Sequence, residues 1–279
     1  MADKFLVIGA SGTVGSGVAR HLREQGHSVR TTTGKKEAAS ADQVHVDLTM
    51  GQGVQEAFAG IDRAFLMSPA GYADQYAILA PLVQAAKQHG LKKLVLMSAF
   101  GADGDPTSPL RRSELALEQS GLAYNIIRPN WFMQNFHTFW LHGIQAQNTI
   151  ALPAGDAKTS FIDTRDIAEA AARLLVTDDL NNRAFNLTGP DSISHAQAAH
   201  AISEASGKAI VFQDAAAEDV KKSLIGAGLP DAYADMMLVI FGYLKAGYNA
   251  AVTDDVRTIL GRAPIGFQKY VQDNRSAWA

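Results

Sequence analysis

The string Gly9-Ala-Ser-Gly12-Thr-Val-Gly15 constrains this chain more than any other, because it stands directly between an apolar run and a helical pattern. Phe5-Leu-Val-Ile8 reads as a buried strand, and Val14 to about Gln25 as a helix. Gly9 permits a tight turn, Gly12 lets the backbone approach a pyrophosphate, and Gly15 lets the helix pack closely on the strand. The helix start, with Ser11, Thr13 and Val14 beside the turn, offers free N–H groups and the positive end of a dipole to phosphates. A GxxGxxG string alone is a weak signal. Its place at the first strand-to-helix crossover makes it a dinucleotide fingerprint. A purely structural glycine turn is the alternative, and there three glycines would only cost stability.

The first half continues to alternate strand and helix patterns. Strands are expected at His27–Thr32, Val44–Asp47, Arg63–Met67, Leu94–Met97 and Tyr124–Ile127, with helical segments between them. This pattern predicts an α/β fold, a Rossmann-type doubly wound parallel sheet with ligand sites at the carboxyl ends of its strands. The second half is less regular. A helix capped by Asp163 or Thr164 runs to Leu175, Ser194 caps another to Ser206, and Leu229 onward is helical. Further strands fall at Ala184–Leu187 and Ile210–Phe212. The expected organisation is a dinucleotide-binding domain over 1–150 and a smaller, mainly helical substrate region over 151–279, with part of the chain returning to the sheet. Pro81 either opens a helix or kinks one.

Composition removes whole classes of function. The 279 residues include no cysteine, which excludes disulfide scaffolds, thiol catalysis and iron–sulfur chemistry. A net charge of −3 without a basic block argues against nucleic acid. The longest apolar run, Met236–Leu244, has nine residues, against the roughly 20 of a membrane helix. The N-terminal apolar stretch is too short for a signal peptide, so the expected location is the cytoplasm. The eight histidines show no compact ligand spacing, so no metal is expected, and there is no Gly-x-Ser-x-Gly elbow or Walker A string.

The end of the second strand bears on which dinucleotide binds. An NAD site usually places an acid there on the ribose 2′-hydroxyl. Here Val29-Arg-Thr-Thr-Thr33-Gly-Lys35-Lys36 has no acidic residue before Glu37, so Thr33, Lys35 and Lys36 favour the 2′-phosphate of NADP(H) over a merely solvated lysine pair. Asp47, after the third strand, is either an acceptor for the adenine amino group or a helix cap.

The glycine loop, Leu94-Val-Leu-Met-Ser-Ala99, Ser120-Gly-Leu-Ala-Tyr-Asn-Ile-Ile-Arg-Pro-Asn-Trp-Phe132 and Gly228-Leu-Pro-Asp231 together resemble the NmrA-like atypical short-chain dehydrogenase/reductases. The resemblance runs from about Phe5 to Lys269 and is strongest toward the bacterial branch of NADPH:quinone oxidoreductases and triphenylmethane-dye reductases. It implies cofactor contacts from Met67, Ser68 and Pro69, from Ser98 and Ala99 near the nicotinamide or its ribose, and from Pro129 and Asn130 flanking the nicotinamide. The family often carries an arginine just after the second strand, where this chain has Thr33.

Ordinary short-chain dehydrogenases use Tyr-x-x-x-Lys for proton transfer, and none of the seven tyrosines has a lysine four residues on. The segment that should carry the motif reads Leu110-Arg-Arg-Ser-Glu114, where Arg111 or Arg112 either binds ribose or substrate or lies on a solvated helix face. A quinone or cationic dye accepts hydride without a tyrosine, so the protein mainly supplies proximity and a dry pocket. Asn130–Trp140 holds five of the 22 aromatic residues within eleven positions. Trp131, Phe132 and Phe136 are candidates to stack on a flat substrate, with Asn135 or His137 bonding its oxygen; the alternative is that these rings bury a helix. Tyr72 and Tyr76 either reach the same cleft or lie on the surface. The expected activity is therefore NADPH-dependent hydride transfer to a quinone or similar flat electrophile, by a monomer or homodimer acting on a small aromatic molecule. The alternative from another class is a non-catalytic NADP(H)-binding redox sensor that acts on a protein partner. A sugar-nucleotide epimerase shares the fold but usually needs the missing Tyr/Lys pair.

Overall fold

A computed structural model describes residues 3–36, 40 and 42–278. The chain forms two compact units. The first comprises Met1–Pro129, Thr164–Asn186 and Thr258–Gly261; the second comprises Asn130–Asp163, Leu187–Arg257 and Arg262–Ala279. The chain thus leaves the sheet-bearing unit at Pro129, where the sequence suggested a boundary near residue 150, and returns to it for residues 164–186.

In chain order the elements begin β1 (Lys4–Val7), α1 (Thr13–Glu24), β2 (Ser28–Thr33), β3 (Gln43–His45), α2 (Val54–Phe58), β4 (Arg63–Met67), α3 (Gln75–Gln88), β5 (Lys93–Met97), α4 (Pro109–Glu118) and β6 (Ala123–Pro129). Next come α5 (Leu141–Gln147), β7 (Thr149–Leu152) and β8 (Lys158–Thr159) of the second unit, then α6 (Thr164–Val176) and β9 (Arg183–Leu187). The strands order as β3-β2-β1-β4-β5-β6-β9. Pairings from β3 to β6 are all parallel. The N–H of Asn182 meets the carbonyl of Tyr124, and that of Asn130 meets Leu187, so β9 runs parallel as well. The order reverses between β1 and β4, which in a doubly wound sheet is where ligands bind.

Alternation along the strands divides the first unit's interior. Leu6, Ile8, Ala64, Leu66, Leu94, Leu96 and Ile126 face a core shared with α2, α3 and α4. On the other face, α1 packs on α6. There a Cβ on Gly17 would come within 2.7 Å of the Ala168 Cβ, so the Ala-rich α6 and the second glycine of α1 are matched for close approach. Pro81 lies inside α3 rather than at its start, so the carbonyl four residues earlier receives no N–H from it.

The second unit is completed by β10 (Ile193–Ser194), α7 (His195–Ser206), β11 (Val211–Asp214), α8 (Ala217–Gly226), α9 (Asp231–Lys245), α10 (Asp255–Leu260, which straddles the division) and α11 (Phe267–Asp273). Ser194 caps α7 through a full capping box with Gln197. β11 pairs with β7, and β10 with β8, so Ile210–Phe212 adds no strand to the main sheet. The core is aromatic: Phe136, Trp140, Phe161, Phe267, Tyr270 and Trp278 are all buried together. The Trp278 indole N–H donates to the Phe136 carbonyl at 2.9 Å, tying the chain's end to its aromatic segment. Among the described residues, no helix is long and apolar enough to cross a membrane.

Candidate functional site

The glycine loop is built as its sequence requires. Gly9 has φ +81°, which only glycine adopts without strain, and its carbonyl accepts the Gly12 N–H at 3.0 Å. A Cβ on Gly15 would lie 2.3 Å from that same carbonyl oxygen, so the start of α1 and the turn touch backbone to backbone. No side chain caps α1, and its first turn holds no acidic residue. The N–H groups of Thr13, Val14 and Gly15 therefore point out of the helix end without intrahelical partners, beside Ser11. These residues fit a pyrophosphate-bearing nucleotide: a side-chain-free cradle meets an uncapped positive helix end.

The neighbouring strand ends gather the other expected contacts. Met67 lies against the loop; a Cβ on Gly9 would come within 2.8 Å of its Cγ. Ser68 and Pro69 follow it, and Met67 pairs in register with Met97, which places Ser98 on the adjacent strand end. The Ser98 N–H donates to Ile127 at 2.8 Å and that of Phe100 to Pro129 at 3.0 Å, bringing the end of β6 alongside. At the β2 end, Arg30 is occupied, donating to the carbonyls of Glu56, Ala57 and Ala59, whereas Thr33 accepts the Lys35 N–H at 3.1 Å. Lys35 and Lys36 are exposed and make no ion pair among the described residues, and Glu37 lies outside the described residues. Asp47 follows β3 and binds Thr49 and Met50 through Oδ1. The Thr49 hydroxyl and these backbone N–H groups hold its carboxyl below the usual range. It does not cap α2, whose N-cap is Gly53.

The two arginines of α4 differ in burial: Arg111 is half-buried, whereas Arg112 is exposed. Arg111 pairs with Glu114 and Glu118 at 2.8 Å each, and the Arg112 guanidinium sits 4.0 Å from the centre of the Tyr76 ring. Tyr76 thereby belongs to a groove of about 510 Å³ between α3 and α4, together with Ala80, Pro81, Lys87 and Ala116. Tyr72 remains 37% exposed. Glu114, which sequence reasoning passed over, is fully buried and receives Arg128 through two bonds of 2.9 and 2.8 Å. Its signal was an arginine on a buried strand, because such a charge demands a buried carboxylate.

The aromatic segment of the second unit divides by residue. Phe136 has no exposed surface and packs on Trp140, Phe161 and Phe267, so it is a core ring and unavailable for stacking on a substrate. Trp131 is only half-buried and lies nearly parallel to both Trp140 and Phe241, with centroids 6.2 and 5.5 Å away. Phe132 is also half-buried, bridging to Ile162. His137 stacks on Tyr270 and shares a 2.8 Å bond between Nδ1 and its hydroxyl, while burial holds the imidazole below its ordinary range. The half-buried Asn135 side chain has no partner among the described residues. Asn130 is the reverse. Its Nδ2 donates to Ser160 Oγ and the Asn249 carbonyl, and its Oδ1 accepts from Trp131 N and Asn249 Nδ2. Both donors and both lone pairs are used, so this side chain holds its own loop and has nothing left for a nicotinamide.

Several known proteins are similar to this chain in sequence or fold. An NAD(P)H azoreductase of Xenophilus azovorans is 30% identical over 98% of this chain and 99% of its own length. The triphenylmethane reductase of Citrobacter sp., solved with NADP(H), superposes with a TM-score of 0.81 at 23% identity, covering 98% of this chain and 99% of that one. An NADPH-dependent quinone oxidoreductase of Escherichia coli gives 0.80 at 22% identity, covering 96% and 98%. The profile of the NmrA-like family matches residues 1–257, and this chain belongs to that family.

Proposed function

We propose that this protein is an NADP(H)-dependent oxidoreductase that passes hydride to a quinone or similar flat electrophile. The observation that carries the reading is the uncapped start of α1 against a turn so close that a Cβ on Gly15 would meet the Gly9 carbonyl at 2.3 Å. There backbone meets backbone, and the N–H groups at the head of α1 have no intrahelical partners. The whole-length similarity to an NAD(P)H azoreductase supports the same chemistry.

When bound, the nicotinamide supplies the hydride; the chain supplies position. Thr13, Val14 and Gly15 hold the pyrophosphate through backbone N–H groups. Thr33, Lys35 and Lys36 select the 2′-phosphate. One charge-assisted hydrogen bond there is worth roughly 1.5–3 kcal/mol, about tenfold or more in affinity. Met67, Ser68, Pro69, Ser98 and Pro129 line the strand ends. Trp131, with its ring backed by Trp140 and Phe241, stacks on the acceptor; Phe132 and Tyr72 add apolar area, and Asn135 and His137 bond its oxygen. No proton donor is demanded of the protein, because a reduced quinone takes its protons from water.

The test is a steady-state panel with NADPH and NADH against quinones, azo and triphenylmethane dyes, and simple aldehydes. NADPH consumption with quinones or dyes, and weak activity with NADH, is the expected result. Tight NADPH binding without turnover on any acceptor would replace this reading with that of a binding protein. No binding would remove both.

A further inference from the structure

The exposed apolar side chains of the second unit are gathered rather than scattered. Of the nine large apolar residues that stand exposed among the described residues, four lie between positions 239 and 252: Val239, Tyr243, Tyr248 and Val252. Isolated apolar side chains on a surface are ordinary, whereas a contiguous group marks an interaction site. The Tyr243 and Tyr248 rings meet edge to face with centroids 5.8 Å apart, so the group continues past the end of α9.

Helix geometry orders this patch. At roughly 100° per residue, Ala232, Val239, Tyr243 and Ala246 fall within about 60° of one another. All four are exposed, on the side of α9 opposite its buried Ala234, Met237, Phe241 and Leu244. The stripe is spaced evenly about Val239: Ala232 and Ala246 lie seven residues to either side of it. Tyr243 shares one flank with the half-buried Met236. The other flank carries Asp231 and Asp235 at its start and Lys245 at its end, the two acids held by Lys221 and the lysine by Asp214.

Such a face is complementary to itself run backwards. A two-fold axis through Val239 would set that residue against its own copy. Ala232 would meet Ala246 of the second copy at each end, where small side chains let two helices close. Tyr243 would pack on Met236 of the second copy along one flank, an aromatic–thioether contact. Along the other, Asp231 and Asp235 would approach Lys245 of the second copy, whereas parallel pairing would bring like charges together. We infer that the outward face of α9 is the contact of a homodimer, in which two copies pair this helix antiparallel about Val239. One patch meeting itself across a two-fold axis is also the commonest way in which identical chains associate.

The absence of cysteine makes the test direct. Val239→Cys puts a single thiol on the proposed axis, and Val211→Cys puts one on β11 at nearly the same exposure, 56% against 57%. A disulfide needs Cα atoms no more than about 7 Å apart, which the axis provides. Mild oxidation is expected to cross-link most of the Val239→Cys protein and little of the Val211→Cys protein, as read on denaturing gels. Light scattering of the wild type should give twice the chain mass at about 100 μM, as suits an interface of modest area. Val239→Asp should give the single mass with an unaltered thermal melt, because the side chain it replaces is exposed. A wild type that stays monomeric, a dimer that survives Val239→Asp, or equal cross-linking of the two thiols would overturn the inference. Should the wild type be monomeric, sedimentation with lipid vesicles that Val239→Asp abolishes would assign the face to a membrane surface instead. None of these readouts requires NADPH, so the oxidoreductase reading stands or falls separately.

Discussion

Replacing Gly15 with alanine sets two physical effects against each other. Gly15 lies in the first turn of α1, and in a helix alanine is favoured over glycine by about 1 kcal/mol. Propensity alone therefore predicts a more stable protein. The added Cβ, however, would stand 2.3 Å from the Gly9 oxygen, 2.6 Å from its carbonyl carbon and 3.0 Å from Ala10 N, all backbone atoms that no rotamer change can move. Restoring van der Waals contact requires the turn and the helix start to separate by about 1 Å, at an overpacking cost of roughly 1–3 kcal/mol. The two terms nearly cancel in stability, giving a net loss of about 0–2 kcal/mol. They do not cancel in binding, because the same 1 Å moves the N–H groups out of phosphate reach. Losing one charge-assisted bond of roughly 1.5–3 kcal/mol weakens NADPH about tenfold or more. Calorimetric titration with NADPH, beside a thermal melt, separates the two readouts. Gly17→Ala is the control: its Cβ meets the Ala168 Cβ at 2.7 Å, so it should lower the melting temperature and leave NADPH affinity nearly unchanged. A Gly15→Ala protein that bound NADPH like wild type would refute the cradle argument.

Three further changes test separate parts of the molecule. Lys35→Ala combined with Lys36→Ala should reduce the NADPH-over-NADH preference about tenfold while NADH binding holds steady, as read from paired titrations. Trp131→Ala should raise the KM for a flat acceptor several-fold with unaltered NADPH affinity, since the ring is half-exposed on its Trp140–Phe241 stack. His195 is fully buried among Phe136, Trp140, Phe161 and Phe212, and burial pushes its imidazole down to about 3 from 6.5. The unfolded chain takes up that proton first, so stability should fall as pH drops from 6.5 toward 3, by at most roughly 1.4 kcal/mol per pH unit from this group. Denaturant melts of His195→Phe across that range should show the slope reduced; an unchanged slope would mean that other groups set it.

The strand-loop-helix start was legible because its causes are local. A buried apolar run, glycines at turn and contact positions, and a helical repeat act over about 20 residues, and β1, α1 and β4 lie within a residue or two of where periodicity puts them. The ends of β2 and β3 were legible for the same reason, as was the Ser194 cap. Asn130 shows where that ends. Its role turns on Ser160 and Asn249, 30 and 119 residues away, and no spacing rule connects them. Glu114 and Arg128 are 14 residues apart, but only the packing of α4 on β6 shows that both are buried and therefore paired.

The sequence by itself thus determined the fold class and the glycine turn at the head of α1, because steric freedom at glycine and hydrophobic periodicity are properties of short segments. Tertiary structure alone decided that Phe136 is core while Trp131 is half-buried, that the Asn130 side chain serves its own loop, and that the chain changes unit at Pro129. Those outcomes depend on which distant groups compete for the same buried space and the same hydrogen bonds, and that competition exists only once the chain has folded.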